Sequence, residues 1–99
     1  MSALTATVAT PNAGKYMRQL CKHWSHKLDT KVEGDVGTVT FPSATAVLAA
    51  GPEAIVITIS GEDRAAVEPL GDVVARHIDR FAFREAPLTY RWEWVEPAA

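Results

Sequence analysis

Ninety-nine residues, 47% of them hydrophobic and 22% charged, supply apolar material for one core and not for two. Ten Lys and Arg against twelve Asp and Glu give a formal net charge of −2, the wrong sign for a chain that lives on a phosphate backbone, which excludes general nucleic-acid binding from the leading readings. No run approaches the roughly 18 apolar residues of a membrane helix, residues 1–10 lack a leader pattern, and the one cysteine, Cys21, can form no internal disulfide, so the expectation is a single cytoplasmic domain over residues 1–99 with no membrane partner.

Leu4, Ala6 and Val8 alternate with Thr5 and Thr7, which predicts a first strand. Thr10 then reads as an N-cap with Pro11 at the first helical position, where a missing N–H costs nothing, and the helix is expected over residues 11–28. Tyr16, Met17, Leu20, Cys21, Trp24 and Leu28 fall on one stripe of that helix and form its buried face. Lys15, Arg18, Lys22, Ser25 and His26 occupy the other side.

Val32, Val39 and Phe41 flank residues 34–37, read as a hairpin turn, and Pro42 and Ser43 end the second arm. Residues 45–50 and 54–60, joined by a turn at 51–53, make a second hairpin whose last strand is β-branched at every position from Ile55 to Ile59 and is expected at the centre of the sheet. Ser60, Gly61, Glu62 and Asp63 resemble a capping box with Asp in place of Glu, so a second helix should start there and end near Phe83, burying Ala66, Leu70, Val73, Val74, Ile78 and Phe81. Pro69 lies inside this span and must kink or restart the helix. Leu88, Tyr90, Trp92 and Trp94 alternate with Thr89, Arg91 and Glu93 as a last, half-exposed strand. The order β-α-β-β-β-β-α-β predicts a mostly antiparallel sheet with both helices on one face, a two-layer α+β sandwich.

Chemistry-bearing residues concentrate in two stretches. Residues 21–27 hold Cys21, His23, Trp24 and His26 together with Lys22 and Lys27. A regular helix cannot turn all of them to one ion: Cys21 and Trp24 point into the apolar stripe and His26 nearly away from it. His23 and His26 could offer two nitrogens to a metal, with His77 as a third, although the flanking lysines oppose a cation. Favourable interaction of basic groups with a helix C-terminus explains the same composition without any ligand. His77 lies within the second apolar stripe, where a histidine must find a hydrogen-bond partner; Ser25, Tyr16 and His23 on the facing helix are the candidates. Arg80 and Arg84 stand four apart and are expected side by side, as a carboxylate or phosphate clamp or as a simple helix cap. Lys15, Arg18 and Lys22 make a basic ridge on an otherwise acidic body. No nucleophile elbow, phosphate loop, dinucleotide fingerprint or paired-cysteine motif is present.

Thr10-Pro11, Tyr16, the run from Gln19 to Lys27, His77, the run from Arg80 to Glu85, and Trp92 together resemble the bacterial family known as domain of unknown function 2218. The resemblance covers most of the chain and carries no established activity. It implies, through members joined to flavin reductases that release iron from siderophores, an association with iron uptake. The segment around Pro69 departs from the more uniformly helical stretch such a family member would show.

The expected function is therefore a small binding or accessory module. Its interhelical groove, lined by Cys21, His23, Trp24, His26, His77, Arg80 and Arg84, would receive an anionic ligand or an acidic protein partner, without a bound cofactor. A small homo-oligomer is compatible with this. Two alternatives remain open: a small enzyme using His77 or His23 as general base, for which only Cys21 offers a nucleophile, and a metal-binding protein using His23, His26 and His77.

Overall fold

A computed structural model of the chain describes residues 2–95. Its elements run β1 (Ser2–Ala9), α1 (Ala13–Trp24), β2 (Asp29–Glu33), β3 (Val36–Thr40), β4 (Ala44–Ala50), β5 (Ala54–Gly61), α2 (Arg64–Phe81) and β6 (Glu93–Val95). The strands form one antiparallel sheet in the order β2-β3-β4-β5-β1-β6. Helix α1 packs over β2 to β5 and α2 over β1 and β5, so the α+β arrangement and the element order are those the hydrophobic periodicity predicts.

Alternation fixes which side of each strand the helices cover. Leu4, Ala6 and Val8 of β1, Val39 of β3, Ala46 and Leu48 of β4, and Ile55, Ile57 and Ile59 of β5 are buried. β5 lies between β4 and β1, as its β-branched run demands. The opposite side of the sheet carries the alternating partners, among them Thr5, Thr38, Val47 and Thr58. From α1, Tyr16, Met17, Leu20, Cys21 and Trp24 enter the core with Ala13. The close approach of this helix to β3 depends on Gly37: a Cβ there would stand 2.7 Å from both Cys21 Sγ and Met17 Sδ.

Several local expectations are corrected. Helix α1 begins at Ala13, not Pro11, because the Thr10 hydroxyl accepts the Asn12 N–H, 3.1 Å, and closes a turn before the helix. It ends at Trp24, not Leu28: the Trp24 carbonyl takes the amides of both Lys27 and Leu28 and turns the chain into β2. The first hairpin has a two-residue turn, Gly34-Asp35, with Gly34 at φ 59°, so Val36 and Gly37 are strand residues. Gly61 extends the expected strand by one residue, Ser60 and Gly61 pairing with Thr45 and Ala44, and Asp63 caps α2 by accepting the Ala66 amide at 2.9 Å. Pro69 is accommodated within a helix that runs unbroken from Arg64 to Phe81.

The buried face of α2 is Val67, Gly71, Val74 and Ile78, with Leu70, Val73 and Phe81 partly buried beside it. Gly71 was invisible to hydrophobic patterning, yet it is where Leu4 and Trp92 press on the helix; a Cβ would meet Leu4 Cδ2 at 3.1 Å. The final aromatic run pairs with β1 only over Glu93–Val95. Before that, Tyr90 turns back to α2, its hydroxyl donating to Asp79 Oδ1 at 3.0 Å and its ring stacking with Trp92.

Candidate functional site

The two helices are antiparallel: Tyr16 near the start of α1 meets Glu85 beyond the end of α2, while Trp24 at the end of α1 meets His77 in the last turns of α2. The stripe that buries Trp24 brings His23, the next residue round the helix, to the solvent edge of this seam. A continuous run of rings follows. Phe41 packs edge-on against Trp24 at 5.2 Å, Trp24 lies 4.9 Å from His77, His77 is 5.6 Å from His23, and His23 is 5.9 Å from Phe81.

His77 is half-buried and takes none of the three partners expected for it. Its Nδ1 lies 2.7 Å from the Val73 carbonyl one turn back in its own helix. A carbonyl can only accept, so Nδ1 carries the proton. No hydrogen bond among the described residues engages Nε2, which is left as the ring's acceptor in the neutral form. Ser25 instead donates to the Lys22 carbonyl at 2.7 Å, and Tyr16 to Glu85.

The remaining candidates divide. Cys21 leaves the site: it is 2% exposed, faces Gly37 on the sheet side, and burial pushes its thiol above the ordinary value. His26 is exposed in the turn after α1 and joins no ring contact among the described residues. Among the described residues no three His, Cys, Asp or Glu side chains converge as metal ligands, so His23, His26 and His77 form a pair and an outlier. Arg80 is exposed on α2, but the helix ends at Phe81 and Arg84 lies in the following turn, its guanidinium 5.7 Å from the Phe83 ring, so the expected side-by-side arginine clamp does not form on helical geometry. The basic ridge is also broken, because Arg18 reaches across to the Gly34 carbonyl and Asp35. Lys22, Lys27, Arg80 and Arg84 have no carboxylate within ion-pair distance among the described residues.

Concavity lies one residue further along the ring chain than expected. Two open clefts flank the Phe41–Pro42 turn. One, of about 480 Å³, runs along Ser43, Thr45, Ser60 and Glu62; the other, of about 610 Å³, along Ser25, Lys27, Asp29 and Thr40. Phe41 links both to Trp24 and through it to the histidine pair.

Sequence reasoning missed a second cluster at the opposite end of the helix pair. The Glu85 carboxylate accepts from Tyr16 Oη, from Thr10 Oγ1 at 2.9 Å and from Asn12 Nδ2 at 3.0 Å. These bonds, the tyrosine's foremost, hold the Glu85 carboxyl below its ordinary range, and the carboxylate in turn holds the Tyr16 hydroxyl above its own.

The class defined is a six-stranded antiparallel sheet with two antiparallel helices on one face and an imidazole–indole seam between them. The chain belongs to the family of uncharacterised conserved bacterial proteins called domain of unknown function 2218, whose model matches residues 5–93. It is similar to PA4090 from Pseudomonas aeruginosa, whose structure was solved by NMR, at 28% identity over 96% of each chain and a TM-score of 0.78. No curated protein matches it. Of the residues that carry the family resemblance, Thr10, Tyr16 and Glu85 meet in the cluster at one end, and His23, Trp24, His77 and Phe81 in the ring contacts at the other.

Proposed function

We propose that this chain is a small cytoplasmic binding module that takes an anionic ligand at the solvent edge of the α1–α2 seam. The observation that carries this reading is the pairing of His23 and His77 at 5.6 Å, one imidazole from each helix, with His77 Nδ1 committed to Val73. Lys22 beside His23 and Arg80 one turn on from His77 add positive charge that no described carboxylate neutralises. Such a surface favours carboxylate, phenolate or phosphate oxygens, and Trp24 and Phe81 give it an apolar flank. The association with siderophore-iron reductases that the resemblance implies narrows the ligand to an anionic ferric chelate. An acidic protein surface is the competing partner.

The experiment is a titration of the purified protein with ferric citrate, citrate alone, a ferric catecholate siderophore and inorganic phosphate, followed by Trp emission and by backbone amide shifts. Saturable binding should perturb residues of both helix ends lining the seam, should lose its fluorescence response in Trp24→Phe, and should weaken roughly tenfold or more in His23→Ala. Unmoved amides at His23 and His77 with every one of these ligands would sink the proposal.

One observation favours a second reading, a small enzyme with His77 as general base: the Val73 bond orients the ring with Nε2 as proton acceptor. Cys21, buried with a raised pKa, offers that enzyme no thiolate.

A further inference from the structure

The sheet face turned away from the helices is bare of charge across its centre. The strand register sets Lys31, Thr38, Val47, Thr58, Thr5 and Glu93 in one row across all six strands, with charge only at the two rims. The neighbouring rows hold only Ala, Ser, Thr and Val on β3, β4, β5 and β1. Three of the five large hydrophobic residues exposed among the described residues, Val36, Val56 and Val95, lie on this face. A solvated antiparallel sheet face is ordinarily polar; here the polarity comes from Thr and Ser hydroxyls with exposed valines among them, a surface that carries no central charge to desolvate on contact.

The geometry points to a second copy of this chain on that face, sheet against sheet about a two-fold axis parallel to the strands. The area suffices: strands spaced about 4.8 Å apart and rising about 3.3 Å per residue give roughly 500–700 Å² of face per chain, so about 1,000–1,400 Å² is covered between two copies, within the range of specific interfaces. The face is also self-complementary, as a two-fold contact requires, because small uncharged side chains neither repel nor obstruct their own copies. The central row sets Lys31, the one cation on this face of β2, between Asp29 and Glu33 of the same strand. Rotation about an axis along the strands reverses the row, laying Val47 near the partner's Thr58 and Lys31 near the partner's Glu93 at both rims. The angle of about 30° between aligned packed sheets displaces these rims along the strands, a distance that a lysine side chain spans. Lys31 already pairs with Glu33 at 2.8 Å, an exposed contact of small energy that leaves it available. Both helix seams face outward in such a dimer, so it stands independently of the ligand proposed above.

Sedimentation velocity of the full chain, from low micromolar to near-millimolar concentration, tests this directly. The expected result is a reversible dimer of twice the chain mass. Val47→Lys, which would bury an unpaired charge at the centre, should raise the dimer Kd by at least about tenfold while circular dichroism stays native, and Val47→Thr should leave it within about threefold. Val56→Lys serves as a second central variant. Lys31→Glu should weaken the dimer and Glu93→Lys added to it should restore it. A wild-type chain that is monomeric at every concentration overturns the proposal, whether its face stays bare or takes a different protein. A dimer that survives in folded Val47→Lys and Val56→Lys overturns it equally.

Discussion

The Tyr16 hydroxyl donates a hydrogen bond to the Glu85 carboxylate and thereby ties the second turn of α1 to the chain leaving α2. Thr10 and Asn12 add their own bonds to the same carboxylate, so the entry to one helix and the exit from the other are held by a single side chain. Tyr16 is 4% exposed, and its hydroxyl in Tyr16→Phe has no replacement for Glu85, so that variant should lose about 1–2 kcal/mol in urea unfolding.

The same network sets a pH dependence. The folded Glu85 carboxyl titrates below its ordinary value of 4.5, so its contribution is complete above that value and is lost as pH falls through the lowered folded value. Tyr16 titrates above 10.0 in the fold, so its contribution is present below pH 10 and is lost only as pH rises through the raised value. Thermal melts of wild type and Glu85→Gln should therefore differ most near neutrality and converge only as the pH falls through the lowered folded value, below which the carboxylate is protonated in both states. A gap that persisted unchanged into strong acid would mean that Glu85 acts through packing and not through its charge.

The start of α2 offers a sharp choice between two residues three apart. Asp63 accepts the Ala66 amide, whereas Ser60 is a strand residue whose backbone pairs within the sheet. Asp63→Ala should cost about 1 kcal/mol, the usual worth of an N-cap, and Ser60→Ala a few tenths at most. Equal losses in the two variants, measured by denaturant unfolding, would argue for the longer helix that the local capping pattern suggests.

Gly37 is where α1 and β3 touch. Gly37→Ala drives a methyl toward Cys21 Sγ and Met17 Sδ, both buried, and should destabilise by about 1–3 kcal/mol. Cys21→Ala removes one of the two sulfurs from that space, so the double variant should recover part of the loss. The burial that makes the position tight also keeps the thiol protonated and shielded. Alkylation of Cys21 in the native protein should accordingly be at least about a hundredfold slower than in urea, which distinguishes a core cysteine from a nucleophile.

How far these features could be read from the chain depends on the range of the interaction. Strand faces and the buried stripe of α1 were legible because a period of 2 or 3.6 is a local signal, and short turns make neighbours of β2 to β5, but the places of β1 beside β5 and of β6 beside β1 rest on long-range pairing with no local pattern. The end of α1 was not, because Ser25, His26 and Lys27 have ordinary helical character and only the Trp24 carbonyl, shared by two later amides, shows the chain turning away. The strand expected from Leu88 onward shortened to Glu93–Val95 because Tyr90 is held by Asp79 on α2, so alternation was present without a strand to pair with. Helical periodicity set Trp24 and His77 each within an apolar stripe and offered His23 as a facing neighbour of His77, whereas the ring contact of His77 with Trp24 is seen only in the packing. The Glu85 cluster needed contacts between residues 10, 12, 16 and 85 and carried no local pattern. Its only trace was that Thr10, Tyr16 and Glu85 all stand among the residues that resemble the family.

The orientation of His77 decides whether the seam has a chemical role at all. Donation from Nδ1 to the Val73 carbonyl predicts the Nδ1–H tautomer in the neutral ring, visible in long-range ¹⁵N–¹H correlation spectra. The opposite tautomer would mean that the bond is absent and that the ring is free to turn. His77→Ala removes both this bond and the ring contacts to Trp24 and His23, and should cost about 1–3 kcal/mol while shifting Trp emission. His77→Asn places an amide donor near Nδ1 but nothing near Nε2. If Nε2 serves a ligand, that variant keeps the local bond and still loses binding of the anionic probe; if His77 only fills the seam, His77→Asn binds as wild type does. The comparison separates a histidine kept for its outward nitrogen from one kept for its packing, which stability measurements on the alanine variant alone cannot do.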